Sequence, residues 1–255
     1  MTMDPQPATA RPEIGTLRPH DLLAALRDGW RDFSQAPLYG LFFAATYVAA
    51  GLLLSRLDAG LFTWTLTLTL GFPLLAPFLA VGLYEVSRRL ERGEALTFEG
   101  VLGVVWYERT RQVPWAGLAI LLIFLFWSFL AHMLFALFMG PSALIGPPDD
   151  LRTYLSGTGL AMIAVELAFG AACAFLVFAL TVIGLPLLLE REIDVITAMG
   201  ISLRATRDNL PVMLLWAAII ATLTLLALLP WFTGLLIVLP VLGHASWHLY
   251  RRAVG

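Results

Sequence analysis

Three times along the chain a short amphipathic stretch ends in an amide residue, one spacer and a proline, then enters an apolar run. The copies are residues 21–37 (DLLAALRDGWRDFSQAP), 98–114 (FEGVLGVVWYERTRQVP) and 195–211 (VITAMGISLRATRDNLP). Aligned on Pro37, Pro114 and Pro211, the amide position holds Gln35, Gln112 and Asn209. Repetition at this scale means a fold assembled from related units, because one unit alone cannot bury its own apolar face.

The solvent for that fold follows from composition. Hydrophobic residues make up 59% of the 255 and charged residues 13%, against about a quarter charged in a soluble domain. Lipid is therefore the expected surrounding. A net charge of −2 gives no electrostatic footprint for nucleic acid. The single cysteine, Cys173, lies in an apolar run and excludes a disulfide or a thiolate metal cluster.

A bilayer core needs roughly 17 to 25 apolar helical residues. Six segments meet that requirement, at about 38–55, 61–86, 113–139, 159–189, 212–229 and 231–250. Arg11, Arg18, Arg27, Arg31, Arg88, Arg89, Arg92, Arg109, Arg111, Arg191, Arg204, Arg207, Arg251 and Arg252 fall on one side of this arrangement, and only Arg56 and Arg152 on the other. The positive-inside rule then puts both termini in the cytoplasm. WTLTLTL, residues 64–70, alternates as a strand would, but a lone strand in hydrocarbon leaves its backbone unpaired, so helix is expected.

The expected fold class is all-α: a six-helix membrane bundle made of three repeats, at about 18–96, 97–193 and 194–252, after a disordered cytoplasmic tail over 1–17. Each repeat reads as an interfacial helix, an elbow and a helical hairpin. In the first copy Leu22, Leu23, Leu26, Trp30 and Phe33 form an apolar stripe, of the kind that rests on a membrane surface. Thr97 and Asp194 stand where they can cap the second and third interfacial helices. Helix is disfavoured before a proline, which ends each interfacial helix, and the proline suits the first turn of the next one.

The returning spans carry prolines of their own: Pro73 and Pro77, Pro186, and Pro240. Residues 77–89 and 240–252 align without gaps and match Glu85 to His248. Proline kinks free backbone carbonyls, which must be buried in protein or face a wet cavity. Either the three kinks frame a cytoplasm-facing vestibule or they let the hairpins pack.

Ionisable residues inside the spans are the candidate sites. His132 and Glu166 lie at similar depth on adjacent antiparallel spans, a candidate buried pair. Glu85, Glu190, His244 and His248 form a candidate cluster on the cytoplasmic side. The one-turn spacing of His244 and His248 could place two imidazoles on one metal, but two ligands fall short of a site, so hydrogen bonding is the expected role. No nucleophile–base set is legible, and no cofactor is implied.

Three strings carry a family resemblance: GLYEVSRRLERGE (82–94), GLPLLLERE (184–192) and VLPVLGHASWHLYRR (238–252). With them the chain resembles a bacterial family of predicted integral membrane proteins of unassigned function. Some members are labelled as cytochrome c oxidase subunit I, which implies a respiratory setting. More loosely, the elbow with Asn or Gln before proline is similar to the membrane domain joined to some glycerophosphodiester phosphodiesterases. That likeness extends to the repeat plan and not to the activity.

Two functions fit these readings. One is a protein without catalysis of its own, acting as accessory, scaffold or assembly component of a membrane complex, with lipid and other membrane proteins as partners. The other is a small transporter or lipid-handling protein whose kinked spans enclose a cavity.

Overall fold

The computed structural model describes residues 12–56, 72–144 and 150–254. Every regular element among these residues is a helix, with no strand among them. The main helices are α1 (Pro19–Gln35), α2 (Pro37–Arg56), α3 (Phe72–Arg92), α4 (Phe98–Glu108), α5 (Val113–Met139), α6 (Leu151–Tyr154), α7 (Gly157–Thr181), α8 (Gly184–Glu190), α9 (Val195–Asp208), α10 (Leu210–Leu228) and α11 (Leu235–Ala253). The alternating stretch 64–70 lies outside the described residues.

Three helical stretches are long and apolar enough to cross a membrane: α5, α7 continued by α8, and α10. A fourth appears if α1 and α2, bent by 99° at Ala36, are taken as one broken span. The described residues thus support three or four crossings rather than the expected six. Two reasons are physical. Most of the stretch before α3 lies outside the described residues. The cytoplasmic half of α11 carries His244, His248, Arg251 and Arg252, which dilute an otherwise apolar helix.

Pro37, Pro114 and Pro211 each occupy the first or second residue of α2, α5 and α10, where a missing N–H costs no helical bond. Thr97 Oγ1 accepts from Gly100 N at 3.1 Å and Asp194 Oδ1 from Thr197 N at 2.9 Å, so both capping residues act at the helix starts where the sequence puts them. The elbows also reach across the bundle. Tyr39 stacks on Phe98 at the start of α4. Gln112 Oε1 accepts from Val195 N at the start of α9. Asn209 Oδ1 accepts from Leu17 N just before α1.

That last bond alters the picture of the N-terminal tail. Gly15 N donates to Ala253 O at 2.9 Å, and Leu17 is buried. Residues 12–17 therefore lie against the bundle and bridge the chain's two ends, although their composition reads as a free tail.

The stripe expected on α1 is also divided. Leu22 and Phe33 are buried, whereas Leu23 and Trp30 are exposed. The packed face centres instead on Gly29, where a Cβ would come within 2.6 Å of Ala245 N and 2.7 Å of Val241 O. Glycine thus lets α1 and α11 approach backbone to backbone, and this contact rotates Leu23 and Trp30 outward. The main buried cluster, including Leu22, Val81, Leu187, Trp216, Trp247 and Tyr250, gathers around that crossing.

Pro77 and Pro240 lie within continuous helices. Near Pro186 the helix breaks at Val182–Ile183. There Ser202 Oγ of α9 accepts from Ile183 N at 3.1 Å and donates to Ala179 O at 2.7 Å. The hydroxyl stands in for the missing turn, so both freed backbone groups are satisfied. Pro73 is the second described residue of α3. On the opposite end, α10 turns into α11 through Trp231 and Phe232, both with positive φ (52° and 64°).

Candidate functional site

The end of the bundle that holds α1, α8 and the C-terminal turns of α3 and α11 is a continuous polar layer. Its centre is α11, where the 3.6-residue period puts His244, Trp247, His248 and Arg251 on successive turns facing other helices. His244 is fully buried, and its Nδ1 lies 2.8 Å from Ser87 Oγ on α3. His248 Nε2 donates to Asp32 Oδ2 on α1 at 2.6 Å, with Asp32 only 2% exposed. Trp247 Nε1 donates to Glu91 Oε2 at 3.1 Å.

Arg251 joins two carboxylates, Glu91 at 3.0 Å and Glu190 at 2.9 Å. Glu190 also accepts from the Tyr250 hydroxyl. Arg252 Nη2 reaches Asp28 at 2.6 Å. Burial raises the Asp28 carboxyl, but the Arg252 hydrogen bond and the charges of His248, Arg252 and Arg31 outweigh it and hold Asp28 below the ordinary aspartate value.

Glu85 is fully buried on α3 and sits between Arg88 at 2.5 Å and Arg89 at 2.6 Å. Arg88 extends the link by donating to Leu189 O of α8 at 3.2 Å. A smaller group lies at the second elbow. Arg111 pairs there with Glu108 and Glu192, each at 3.1 Å. Burial pushes the Glu108 carboxyl above its ordinary value against the pull of Arg111.

The structure thus brings Glu85, Glu190, His244 and His248 into one layer but gives each a different partner. His244 turns to α3 and His248 to α1, so their one-turn spacing does not converge on a shared point. Among the described residues no group of three His, Cys, Asp or Glu side chains could hold a metal. Each carboxylate of the layer is hydrogen-bonded by an Arg or a His side chain, an arrangement that ties four helices together.

His132 and Glu166 are placed differently. His132 is exposed, and its Nδ1 donates to Ser128 O one turn earlier at 2.7 Å. Glu166 is half-buried on α7 and lies within electrostatic range of His132, without a direct hydrogen bond between the two among the described residues. At the elbows, Gln35 is exposed, Gln112 caps α9, and Asn209 clamps the N-terminal segment. Asn209 Nδ2 adds bonds to Gly15 O and Ala205 O, both at 3.1 Å.

Sequence reasoning did not single out Asp28, Asp32, Ser87, Glu91 or Ser202. For Asp28 and Asp32 a signal was present: aspartates around a glycine on one helix face, in a chain whose last helix ends in two arginines.

Residues 65–190 match the model of a family described as predicted integral membrane protein (DUF2189). Over that stretch the chain belongs to this family. The match takes in α3 with Glu85, Ser87 and Arg88, and ends at Glu190 of α8. The protein is accordingly an integral membrane protein of a family without an assigned function. No curated protein and no solved structure matches the chain.

Proposed function

We propose that this family member is a multi-pass protein of the bacterial inner membrane with both termini in the cytoplasm, built from three repeats and six crossings. It serves as an accessory, scaffold or assembly component of a membrane complex, and the label borne by some relatives makes a respiratory complex the first candidate. In this reading the elbow contacts, each joining one repeat to the start of the next, close the repeats into a ring. The polar layer seals the cytoplasmic end of that ring.

One observation carries the reading. The most apolar stretch of α5 is only 6% buried, and it bears an exposed histidine among exposed apolar side chains. Leu122, Phe126, Phe129, Met133 and Leu137 form one stripe, each 49% to 75% exposed, and His132 sits within it. The His132 Nδ1 is taken up by Ser128 O; acyl chains offer its other ring nitrogen no polar partner, whereas a neighbouring helix can. α5 is therefore the docking helix for another membrane protein.

Extraction from native membranes in mild detergent, followed by native mass spectrometry, tests the reading. The expected result is a complex of fixed stoichiometry that His132→Leu dissociates without unfolding the chain. A monomer, or a complex indifferent to His132→Leu, overturns it.

A second reading, lipid handling, is favoured by a cavity of about 250 Å³ between α2, α3, α10 and α11, walled by Phe43, Leu79, Leu83 and Leu239. Such a lining suits an acyl chain better than a polar solute. A monomer carrying one stoichiometric lipid that Leu239→Trp, inside this cavity, displaces would select this second reading.

A further inference from the structure

A groove lies away from the polar layer, between α7, α9 and the first turn of α10. It measures about 470 Å³. One wall is apolar, from Phe175 and Ala179 on α7 with Leu203 and Leu210 opposite. The other presents Arg204, Thr206 and Arg207 of α9. Positions 204 and 207 are one turn apart, so the two guanidiniums rise from the same helix face.

The charge of this wall is not internally balanced. Arg204 has no ion pair among the described residues, while Arg207 meets only the exposed Asp208 at 3.5 Å. Two cations against one carboxylate leave an excess of one positive charge at the mouth of an apolar groove. Thr206 adds a second, independent observation. It is 2% exposed, and its Oγ1 is buried with no hydrogen-bond partner. A helical threonine commonly donates to the carbonyl one turn back, and a buried hydroxyl left without a partner carries a desolvation cost. A ligand oxygen in the groove would remove that cost.

We propose that this groove is a binding site for an anionic phospholipid. The phosphate sits between Arg204 and Arg207 and accepts from the Thr206 hydroxyl, and the start of an acyl chain lies along Phe175 and Leu203. Arginine suits the task because its planar fork can donate two parallel bonds to one phosphate. The assignment is independent of the docking role given to α5, which lies elsewhere on the bundle.

The test uses the delipidated full chain in detergent, titrated with phosphatidylglycerol, phosphatidylcholine or glycerol 3-phosphate and read by native mass spectrometry. Phosphatidylglycerol should bind with unit stoichiometry, and the double variant R204Q/R207Q should weaken it about thirtyfold, from the loss of two interfacial cations. Gly200→Leu supplies a variant that leaves the charges in place. A Cβ at Gly200 meets nothing within 4 Å, so the longer side chain fills the groove and should also displace the lipid while the thermal midpoint stays unchanged.

Equal binding of phosphatidylcholine would overturn the anionic headgroup, and equal binding of glycerol 3-phosphate would overturn the acyl part. Unchanged phosphatidylglycerol binding in both variants would overturn the site itself.

Discussion

Replacing Gly29 with alanine should loosen the crossing on which the polar layer is built. The added Cβ would meet Ala245 N at 2.6 Å, Val241 O at 2.7 Å and Ala245 Cα at 2.9 Å, all of them backbone atoms that no rotamer change can move aside. Ordinary contact begins at 3.4 Å, so α1 and α11 must part by about 0.8 Å, the difference from 2.6 Å. Overpacking of this kind costs about 1–3 kcal/mol. The same displacement stretches Asp32–His248 and Asp28–Arg252, both 2.6 Å and both anchored within one turn of Gly29. Losing one charged hydrogen bond adds about 1.5–3 kcal/mol, and the better helix propensity of alanine returns about 1 kcal/mol. The net loss is about 1.5–5 kcal/mol, or roughly 3–20 °C in thermal midpoint for a chain of this size. Thermal unfolding in detergent, followed by tryptophan fluorescence, measures it. Gly103→Ala is the control, because a Cβ there meets nothing within 4 Å, and it should leave the midpoint unchanged or raise it slightly. If Gly29→Ala melted together with Gly103→Ala, the close approach of α1 and α11 would be refuted.

Other residues make separate demands. Ser87→Ala should lower stability by about 1–3 kcal/mol, since it leaves the Nδ1 of a fully buried His244 without a partner; a midpoint equal to that of the native chain would contradict the bond. Asn209→Ala should release the N-terminal segment by removing its bonds to Leu17 N and Gly15 O, seen as faster hydrogen exchange over residues 12–18 with α5 unaffected. Asp28 lies below the ordinary aspartate value of 3.8 because Arg252 and its neighbouring cations outweigh burial. Its contribution is therefore fully present above that value and lost as pH falls through the folded one. Asp28→Asn should flatten the acid limb of the midpoint–pH curve, and an unchanged acid limb would show that Asp28 is not held down.

Much of the local structure was legible in residue order because its causes are local. A proline after an amide ends one helix and starts another, and Thr97 and Asp194 cap α4 and α9 through bonds three residues long. Apolar runs of sufficient length mark α5, α7 and α10 as membrane helices, since the backbone has no other way to satisfy itself in lipid. Choice of partner is a different matter. Helical period shows which residues share a face but not which helix that face meets. Glu85, Glu190, His244 and His248 could thus be recognised as one polar level while their distribution among Arg88, Tyr250, Ser87 and Asp32 stayed hidden.

The tertiary structure settled those pairings through a few close approaches. Gly29 against Ala245 decides which edge of α1 is buried, and so turns Asp28 and Asp32 inward and Leu23 and Trp30 outward. Ser202 inserted beside Ile183 decides where the long α7–α8 stretch breaks. Asn209 decides that residues 12–17 lie on the bundle. Composition and periodicity thus determined the solvent and the secondary structure, because both depend on each residue and its near neighbours. Which charges neutralise one another depended on backbone distances between helices far apart in the chain, and those arise only once the bundle has packed.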